Sequence, residues 1–201
     1  MTSHSAFDEI APEGWPVLAA AGIITILLAF IALPLGGFAL GLMLWLRHIL
    51  RIPVRRVPVD GDVVVAPADG VVTSIERQQQ TEDRHMQDGL PPMARITIRT
   101  GLTDAQLQRA PVTGRVRDNF LIPGLFLGAA DEVTARRDNE RREITLETDA
   151  GEAVMMVQIA TRTARQLICR HGPGRALAAG ASLGMARMGG LTDLFVPANA
   201  E

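Results

Sequence analysis

Residue types able to do covalent chemistry are scarce in this chain. Its 201 residues include one cysteine, four histidines and no lysine. Cys169 ends the largely apolar stretch Gln-Leu-Ile-Cys, which predicts a buried strand thiol rather than a nucleophile. A single cysteine also excludes an internal disulfide framework and a multi-cysteine zinc site. The absence of lysine excludes a lysine Schiff base.

A pair of adjacent glycines, Gly189 and Gly190, interrupts a strand-like segment near the C-terminus. The flanking residues predict two short strands, Met185–Met188 and Leu191–Val196. Adjacent glycines permit backbone angles that are closed to other residues, and they let another chain segment approach closely. From the residues alone, this segment is typical of a bulge or hairpin corner in a small β-domain.

The same segment resembles the processing site of phosphatidylserine decarboxylases. The pattern of that family is Gly-Met-Ile-Arg-Phe-Gly-Ser, then a short apolar strand with Asp, ending in Leu-Pro or Val-Pro. Those chains cut themselves between the Gly and the Ser, and the Ser becomes a pyruvoyl group on the new N-terminus. The positions that fit are Gly184, Met185, Arg187, Gly189, Asp193, Leu194 and Pro197. The serine position is Gly190, which has no side chain to form the group.

Further blocks of the chain resemble the same family, in the same order. They are Val64–Val72 with its Pro-Ala-Asp-Gly, Arg109–Gly114, Asp138–Arg141, and Val157–Ala160 followed by Ile168-Cys169. Each block alone is a turn or strand that many β-proteins could contain. Together, behind an apolar N-terminal segment, they identify the chain as a member of the family, closest to its short, single-domain bacterial form.

Self-cleavage in that family uses Asp, His and Ser in a serine-protease-like arrangement, in which His takes the Ser proton and Asp orients the imidazole. The pyruvoyl carbonyl then forms a Schiff base with the substrate amine and accepts electrons as CO2 leaves. The resemblance assigns the Asp role to Asp69, which is equally suited to a turn before Gly70. It assigns the His position to Gln106, whose amide cannot take up a proton near neutral pH. With Gly190 at the Ser position, we expect no cofactor.

No other residue of a suitable type is a convincing replacement. Ser182 follows alanine rather than glycine and lies well before the cleavage position, and cleavage at Thr192 would give a ketobutyryl group. The turn Gly180–Gly184 also lacks the two charged residues of the family's Gly-Glu-Arg-Phe-Gly. His4 is expected in the tail and His48 beside the apolar segment. His85 is expected in a polar loop, and His171 at a turn or on the surface.

The segment Trp15–Leu46 carries no charge and is long enough to enter a bilayer, which needs about 20 apolar residues for one helix. A turn signal, Pro34–Gly37, interrupts it. One interpretation is a single kinked span. The other, favoured here, is a hairpin in which Pro16–Leu33 enters and Phe38–Leu46 returns, because the two flanking tryptophans then share one interface.

Basic residues follow this apolar segment, namely Arg47, His48, Arg51, Arg55 and Arg56. Such residues tend to stay cytoplasmic and attract anionic headgroups by about 1 kcal/mol each, although they also fit a stop-transfer flank without lipid specificity. We therefore expect a cell-membrane location with the β-domain facing the cytoplasm. The net charge of −2 argues against a nucleic-acid partner.

After residue 60 the hydrophobic pattern indicates strands. Ala94–Arg99 alternates, and Glu143–Thr148 with Glu152–Ala160 predicts a hairpin. We expect a short helical piece at Thr103–Gln108 and a charged turn at Asp138–Arg142.

The predicted fold class is mainly β: a compact antiparallel β-domain with short helices, preceded by an N-terminal membrane-inserted helical hairpin. The predicted division is a disordered tail at 1–14, a hydrophobic membrane anchor at 15–50 and a phosphatidylserine-decarboxylase-like β-domain at 51–201.

Two functions remain open at this stage. The first is a non-catalytic membrane protein of phosphatidylethanolamine metabolism that binds aminophospholipid headgroups or partners an active family member. The second is an active phosphatidylserine decarboxylase that makes phosphatidylethanolamine and CO2 with an unrecognised replacement residue. Expected partners are membrane phospholipid, including phosphatidylserine, and either further copies of this chain or an active family member.

Overall fold

The structure is a computed structural model that describes residues 9–10, 14–53, 55, 57–58, 63–78 and 93–198. The chain divides into two compact units, residues 1–55 and residues 56–201. Each unit has its own architecture.

The first unit is a pair of packed helices, α1 (Trp15–Ile31) and α2 (Leu33–Ile49). They run antiparallel, because Gly36 packs against Ala29 near the turn and Gly22 lies near Met43 further along. A β-carbon at Gly36 would lie 2.6 Å from the Ala29 β-carbon, so this close approach requires glycine. Two short strands, β1 (Glu9–Ile10) and β2 (Arg51–Ile52), pair antiparallel at the open end of the helices.

The helical hairpin forms, but its turn is not where the sequence predicts it. The break is at Ala32, whose backbone is extended, and Pro34 lies inside the first turn of α2. A proline is well tolerated in the first helical turn, where its missing N–H has no intrahelical partner to lose. Within the described residues, no helix combines the length and the apolar character needed to cross a membrane. Most of the expected disordered tail, residues 1–8 and 11–13, lies outside the described residues.

The second unit is mainly antiparallel β-structure, as predicted. Its strands are β3 (Val71–Gln78), β4 (Met93–Thr100), β5 (Leu107–Arg109), β6 (Gly114–Ile122), β7 (Arg141–Glu147), β8 (Ala153–Ile159), β9 (Gln166–Cys169), β10 (Ala176–Leu177), β11 (Ser182–Arg187) and β12 (Gly190–Pro197). Seven of them form one sheet in the order β10-β6-β7-β8-β12-β4-β3. The other three form a second sheet in the order β5-β11-β9.

Strand β12 lies near the middle of the large sheet, between β8 and β4, and is buried along its whole length. Because side chains alternate between the faces of a strand, β12 supplies two cores. Leu194 and Val196 join one cluster of buried residues that also contains Leu183 of the small sheet. Leu191 and Phe195 join a second cluster that contains Ala135. The segment that follows the glycine pair is therefore held on both faces.

Ala135 belongs to α3 (Glu132–Asp138), a seven-residue helix that the sequence analysis does not predict. Asp131 caps it by accepting from the Thr134 backbone N–H at 3.1 Å. The predicted charged turn at Asp138–Arg142 is wrong, because it spans the end of α3 and the start of β7. The predicted helical piece at Thr103–Gln108 is also wrong, because it is a bend leading into β5, which pairs with β11.

Candidate processing site

The glycine pair forms a corner that carries the chain from the small sheet to the large one. Met188, Gly189 and Gly190 all have positive φ, at 71°, 89° and 130°. Glycine adopts such angles readily, whereas side chains with a β-carbon are strained there. A β-carbon at Gly189 would also lie 2.8 Å from the Thr100 carbonyl oxygen, so this corner combines an unusual backbone with a close approach. The two strands predicted around the glycine pair are confirmed as β11 and β12.

Gln106 contacts this corner directly and is 1% exposed. Its Oε1 accepts a hydrogen bond from the Gly189 backbone N–H at 2.5 Å. Its Nε2 donates to the carbonyl oxygens of Asp104 at 2.7 Å and Gly101 at 3.0 Å. Both ends of the amide are thus occupied, and one of them is fixed on the residue immediately before the candidate scissile bond. The interaction is structural, since an amide cannot act as a general base near neutral pH.

Gly190 is buried and offers no atom for nucleophilic attack. A β-carbon built there would lie 3.2 Å from the Ile159 carbonyl oxygen and 3.4 Å from the Ala164 β-carbon. A pyruvoyl group is made from the atoms of a serine, including its β-carbon, and glycine has none. The residues present therefore do not fit this group, and no catalytic step through it can be derived for the chain.

Asp69 reaches the same region through its backbone. Its carbonyl oxygen accepts a hydrogen bond from the Thr100 hydroxyl at 2.8 Å. Thr100 also pairs with Gly190 across β4 and β12, and the next residue, Gly101, is bound by Gln106. The chain segments carrying Asp69, Gln106 and the glycine pair, which are far apart in the sequence, therefore converge on Thr100 and Gly101.

The remaining hydroxyl and imidazole candidates lie elsewhere or are already engaged. His171 Nε2 is 2.9 Å from the Ser182 carbonyl oxygen, at the end of β11 farthest from the corner. The Thr192 hydroxyl is buried and accepts a hydrogen bond from Gln108 Nε2 at 2.8 Å. His48 contacts Arg51 through Nδ1. His4 and His85 lie outside the described residues.

A buried polar cluster next to the corner was missed by the sequence reasoning. Gln158 of β8 donates to Gln108 of β5, which in turn donates to Thr192 of β12. All three are at most 2% exposed, and Gln158 Oε1 has no hydrogen-bond partner within the described structure. The only sequence signal was a polar residue inside an apolar strand.

A second missed network lies on the outer face of β12. The buried Asp193 carboxylate accepts from Arg136 Nε at 2.7 Å and from the Thr97 hydroxyl at 2.8 Å. Burial alone would lower the pKa of Arg136, but its hydrogen bond to Asp193 and the nearby negative charges outweigh burial and raise that pKa. This ion pair fixes α3 on the sheet behind the corner. Asp193, which fits the family pattern, therefore has a structural role.

Other family-like blocks also have structural explanations. The Asn139 side chain bonds to both the N–H and the carbonyl of Leu127 and to the Ala160 carbonyl. Arg109 donates to the Gly180 carbonyl at 2.9 Å and so fixes the turn that begins at Gly180. A β-carbon at Gly184 would lie 1.9 Å from the Ile168 carbonyl oxygen, so only glycine fits there.

Cys169 lies on β9, as predicted, but is only partly buried. Burial raises the pKa of its thiol above the usual range, and the neighbouring His171, Arg142 and Asn119 only partly offset that effect. A thiol that stays protonated is a poor nucleophile.

The architecture is a two-sheet β-domain whose last two strands, β11 and β12, are joined at the glycine corner. Comparison with known sequences agrees with the resemblance. A model of the phosphatidylserine decarboxylase family matches residues 42–201. The chain is 36% identical over 188 residues to a phosphatidylserine decarboxylase proenzyme of Beijerinckia indica, covering 94% of this chain and 79% of that protein. It is 37% identical over 193 residues to a phosphatidylserine decarboxylase proenzyme of Geotalea uraniireducens, covering 96% of this chain and 87% of that protein.

The chain belongs to the phosphatidylserine decarboxylase family. Members of this family are lyases of phospholipid metabolism, and active members carry a pyruvoyl group formed by self-processing of a proenzyme.

Proposed function

We propose that this chain is a non-catalytic, membrane-anchored member of its family that keeps the processing corner uncleaved. The observation that carries the proposal is the hydrogen bond from the Gly189 N–H to Gln106, beside a Gly190 that has no side chain. Self-cleavage needs a hydroxyl and a base at these two positions, and the residues present supply neither.

The hydrogen bonds of the Gln106 side chain also stabilise the uncleaved corner. Gln106 satisfies one buried N–H and two carbonyl oxygens. A buried polar group that loses its partner costs about 1–3 kcal/mol, so this one side chain contributes to the stability of the intact turn. The same position that would activate cleavage in an active relative therefore helps to hold the uncleaved chain together.

A catalytically silent member of a phospholipid lyase family retains two roles that need no pyruvoyl group. One is to bind aminophospholipid headgroups, including phosphatidylserine, at the membrane. The other is to pair with an active family member. We place the chain at the cell membrane through the α1–α2 hairpin, with the β-domain on the cytoplasmic side, because basic residues follow the apolar helices.

Intact-mass spectrometry of the membrane-extracted chain tests the proposal. We expect one polypeptide of 21.6 kDa and no conversion of phosphatidylserine to phosphatidylethanolamine by the purified protein. A truncated chain whose new N-terminus is blocked anywhere between Ala181 and Asp193 would contradict the non-catalytic assignment. That result would favour the alternative, an active decarboxylase with an unrecognised replacement residue.

A further inference from the structure

Three buried polar side chains meet between the two sheets, close to the glycine pair. Gln158 Nε2 donates to Gln108 Oε1, and Gln108 Nε2 donates to the Thr192 hydroxyl oxygen at 2.8 Å. Gln158 and Thr192 belong to β8 and β12 of the large sheet, whereas Gln108 belongs to β5 of the small sheet. We call these three side chains the glutamine cluster. It connects the first residues of β12 to strands of both sheets.

The hydrogen bonds of the glutamine cluster leave one acceptor and one proton at its two ends. Gln158 Oε1 is buried and has no hydrogen-bond partner among the described residues. The Thr192 hydroxyl accepts from Gln108 and retains its own proton for a further bond. Buried polar atoms in native proteins nearly always have a partner, which is either a protein group or an ordered water. The acceptor on Gln158 therefore requires a donor from outside the cluster.

The unused acceptor and the hydroxyl lie on neighbouring side chains. Thr192 of β12 is directly opposite Gln158 of β8. Side chains at directly opposite positions of an antiparallel pair share one face of the sheet, with β-carbons about 4.5–5.5 Å apart. No direct hydrogen bond joins the Thr192 hydroxyl to Gln158 Oε1 in the described structure. Polar groups that lie near each other without a direct bond are commonly connected by a water molecule.

Position 190 provides room beside this pair. Gly190 has no side chain and precedes Thr192 by two residues. A β-carbon built at Gly190 would have two neighbours from elsewhere in the described chain within 4 Å, the Ile159 carbonyl oxygen at 3.2 Å and the Ala164 β-carbon at 3.4 Å. Ile159 directly follows Gln158. The corner therefore leaves open space within two residues of both ends of the cluster.

The charges around the glutamine cluster favour a neutral ligand. Arg142 lies directly opposite Gln158 on β7, and its guanidinium donates to oxygen atoms of β9 and β6. A cation bound at Gln158 Oε1 would lie close to this arginine, and an anion would face the amide oxygen. The neighbouring carboxylate of β12, Asp193, projects from the opposite face of the sheet and is paired with Arg136. An ion would therefore be buried without an available opposite charge, which is costly.

We infer that the glutamine cluster binds one water molecule, which accepts from the Thr192 hydroxyl and donates to Gln158 Oε1. The bonds then form a closed ring, from Gln158 through Gln108 and Thr192 to the water and back to Gln158. Each member donates one bond and accepts one, and hydrogen bonds connected in this way strengthen one another. The ring fixes β12 to β8 and β5 two residues after the glycine pair, so the water helps to position the corner. The inference goes beyond the proposed function and does not depend on it.

A crystal structure of the full chain tests the site directly. We expect one ordered water at about 2.5–3.2 Å from both Gln158 Oε1 and the Thr192 hydroxyl oxygen. Thr192→Val is similar in size but removes the hydroxyl, so this water should be lost. Thr192→Ser keeps the hydroxyl and is the matched control, in which the water should remain.

Oxygen-17 relaxation dispersion counts long-lived buried waters in solution and provides a second measurement. The count should be lower by one in Thr192→Val than in Thr192→Ser and the unsubstituted chain. Thr192→Val also leaves the Gln108 amide without its acceptor, so its melting temperature should fall by roughly 2–8 °C. The serine variant should melt closer to the unsubstituted chain.

Three results would overturn the inference. They are a crystal structure with no water between Thr192 and Gln158, an ion or an amine-bearing ligand at this position, and equal counts of long-lived waters in the valine and serine variants. The structure of the unsubstituted chain decides the question even if Thr192→Val does not fold. Intact mass of the same sample tests the proposed function separately, because a cleaved chain refutes the non-catalytic assignment alone and a missing water refutes this inference alone.

Discussion

Placing a base and a hydroxyl at the two positions to which the family resemblance assigns them is the most direct test of the chemistry of the corner. The double substitution Gln106→His with Gly190→Ser supplies a base and a hydroxyl to a site that already has a small residue, Gly189, before the scissile bond. We expect partial self-cleavage into a chain ending at Gly189 and a peptide beginning at residue 190. Asp69 is assigned to orient the introduced histidine.

The substitutions have a stability cost that follows from the corner geometry. Serine at position 190 must adopt a φ of 130°, and such backbone strain costs about 1–3 kcal/mol. Histidine has two ring nitrogens where Gln106 makes three hydrogen bonds, so one buried group loses its partner at about 1–3 kcal/mol. The total of roughly 2–6 kcal/mol compares with a typical domain stability of about 5–15 kcal/mol. The variant should therefore fold, with a melting temperature lower by roughly 5–20 °C.

Intact-mass spectrometry measures the cleavage, and thermal unfolding separately measures the loss of stability. Gln106→His with Gly190→Ala is the matched control, because alanine carries the same backbone strain without the hydroxyl. It should melt at nearly the same temperature as the serine variant and remain uncleaved. Adding Asp69→Asn to the serine variant should also abolish cleavage. Cleavage in the alanine control would show that the serine hydroxyl is not the nucleophile. Cleavage with Asp69→Asn would show that Asp69 does not orient the introduced histidine. An unchanged melting temperature would refute the predicted backbone strain at position 190.

Three further outcomes are expected. Arg136→Met leaves the buried Asp193 carboxylate without its ion-pair partner and should lower the free energy of unfolding by about 3–5 kcal/mol in chemical denaturation. Arg137→Gln, at an exposed ion pair, is the control and should have no measurable effect. Equal effects would refute the role assigned to the buried pair. Because burial raises the pKa of the Cys169 thiol, alkylation near pH 8 should be slower in the folded chain than in urea, and equal rates would contradict that assignment. In a Cys169→Ala background, cysteines at Ser5 and Asp60 should respond alike to a membrane-impermeant thiol reagent in cells, and labelling from outside at position 5 alone would establish a single span instead of a hairpin.

Local sequence patterns predict much of the β-domain and fail where distant contacts decide the structure. Alternation identifies β4, and the turn residues between β7 and β8 identify their hairpin, because both signals lie within a few residues. Helix α3 is only seven residues long and is held by a contact between Arg136 and Asp193, 57 residues apart. Its local signals, the Asp131 cap and the two arginines of its last turn, cover only a few residues. Short helices have marginal stability of their own, so the distant contact decides whether this one forms. The segment Thr103–Gln108 is likewise drawn into a strand by pairing with β11.

The candidate site was predictable by family resemblance, whereas its internal contacts were not. The glycine pair indicates an unusual backbone conformation, but it does not indicate which residues lie close to that backbone. The Gln106 side chain meets the Gly189 N–H across 83 residues of sequence, and the result depends on the turn and the two sheets being formed. Gln108 and Gln158 illustrate the same limit, because the role of a polar residue in an apolar strand depends on its hydrogen-bond partners on other strands.

The left-handed backbone at position 190 also bears on the driving force for chain scission. A serine held at a φ of 130° would store about 1–3 kcal/mol of conformational energy in the intact precursor. Cutting the preceding bond would release that energy, because a new N-terminal residue no longer has a φ defined by a peptide link. Glycine stores none of it. Position 190 is therefore relaxed in the intact chain. Its glycine lacks both the conformational energy that would favour scission and the hydroxyl that would carry it out.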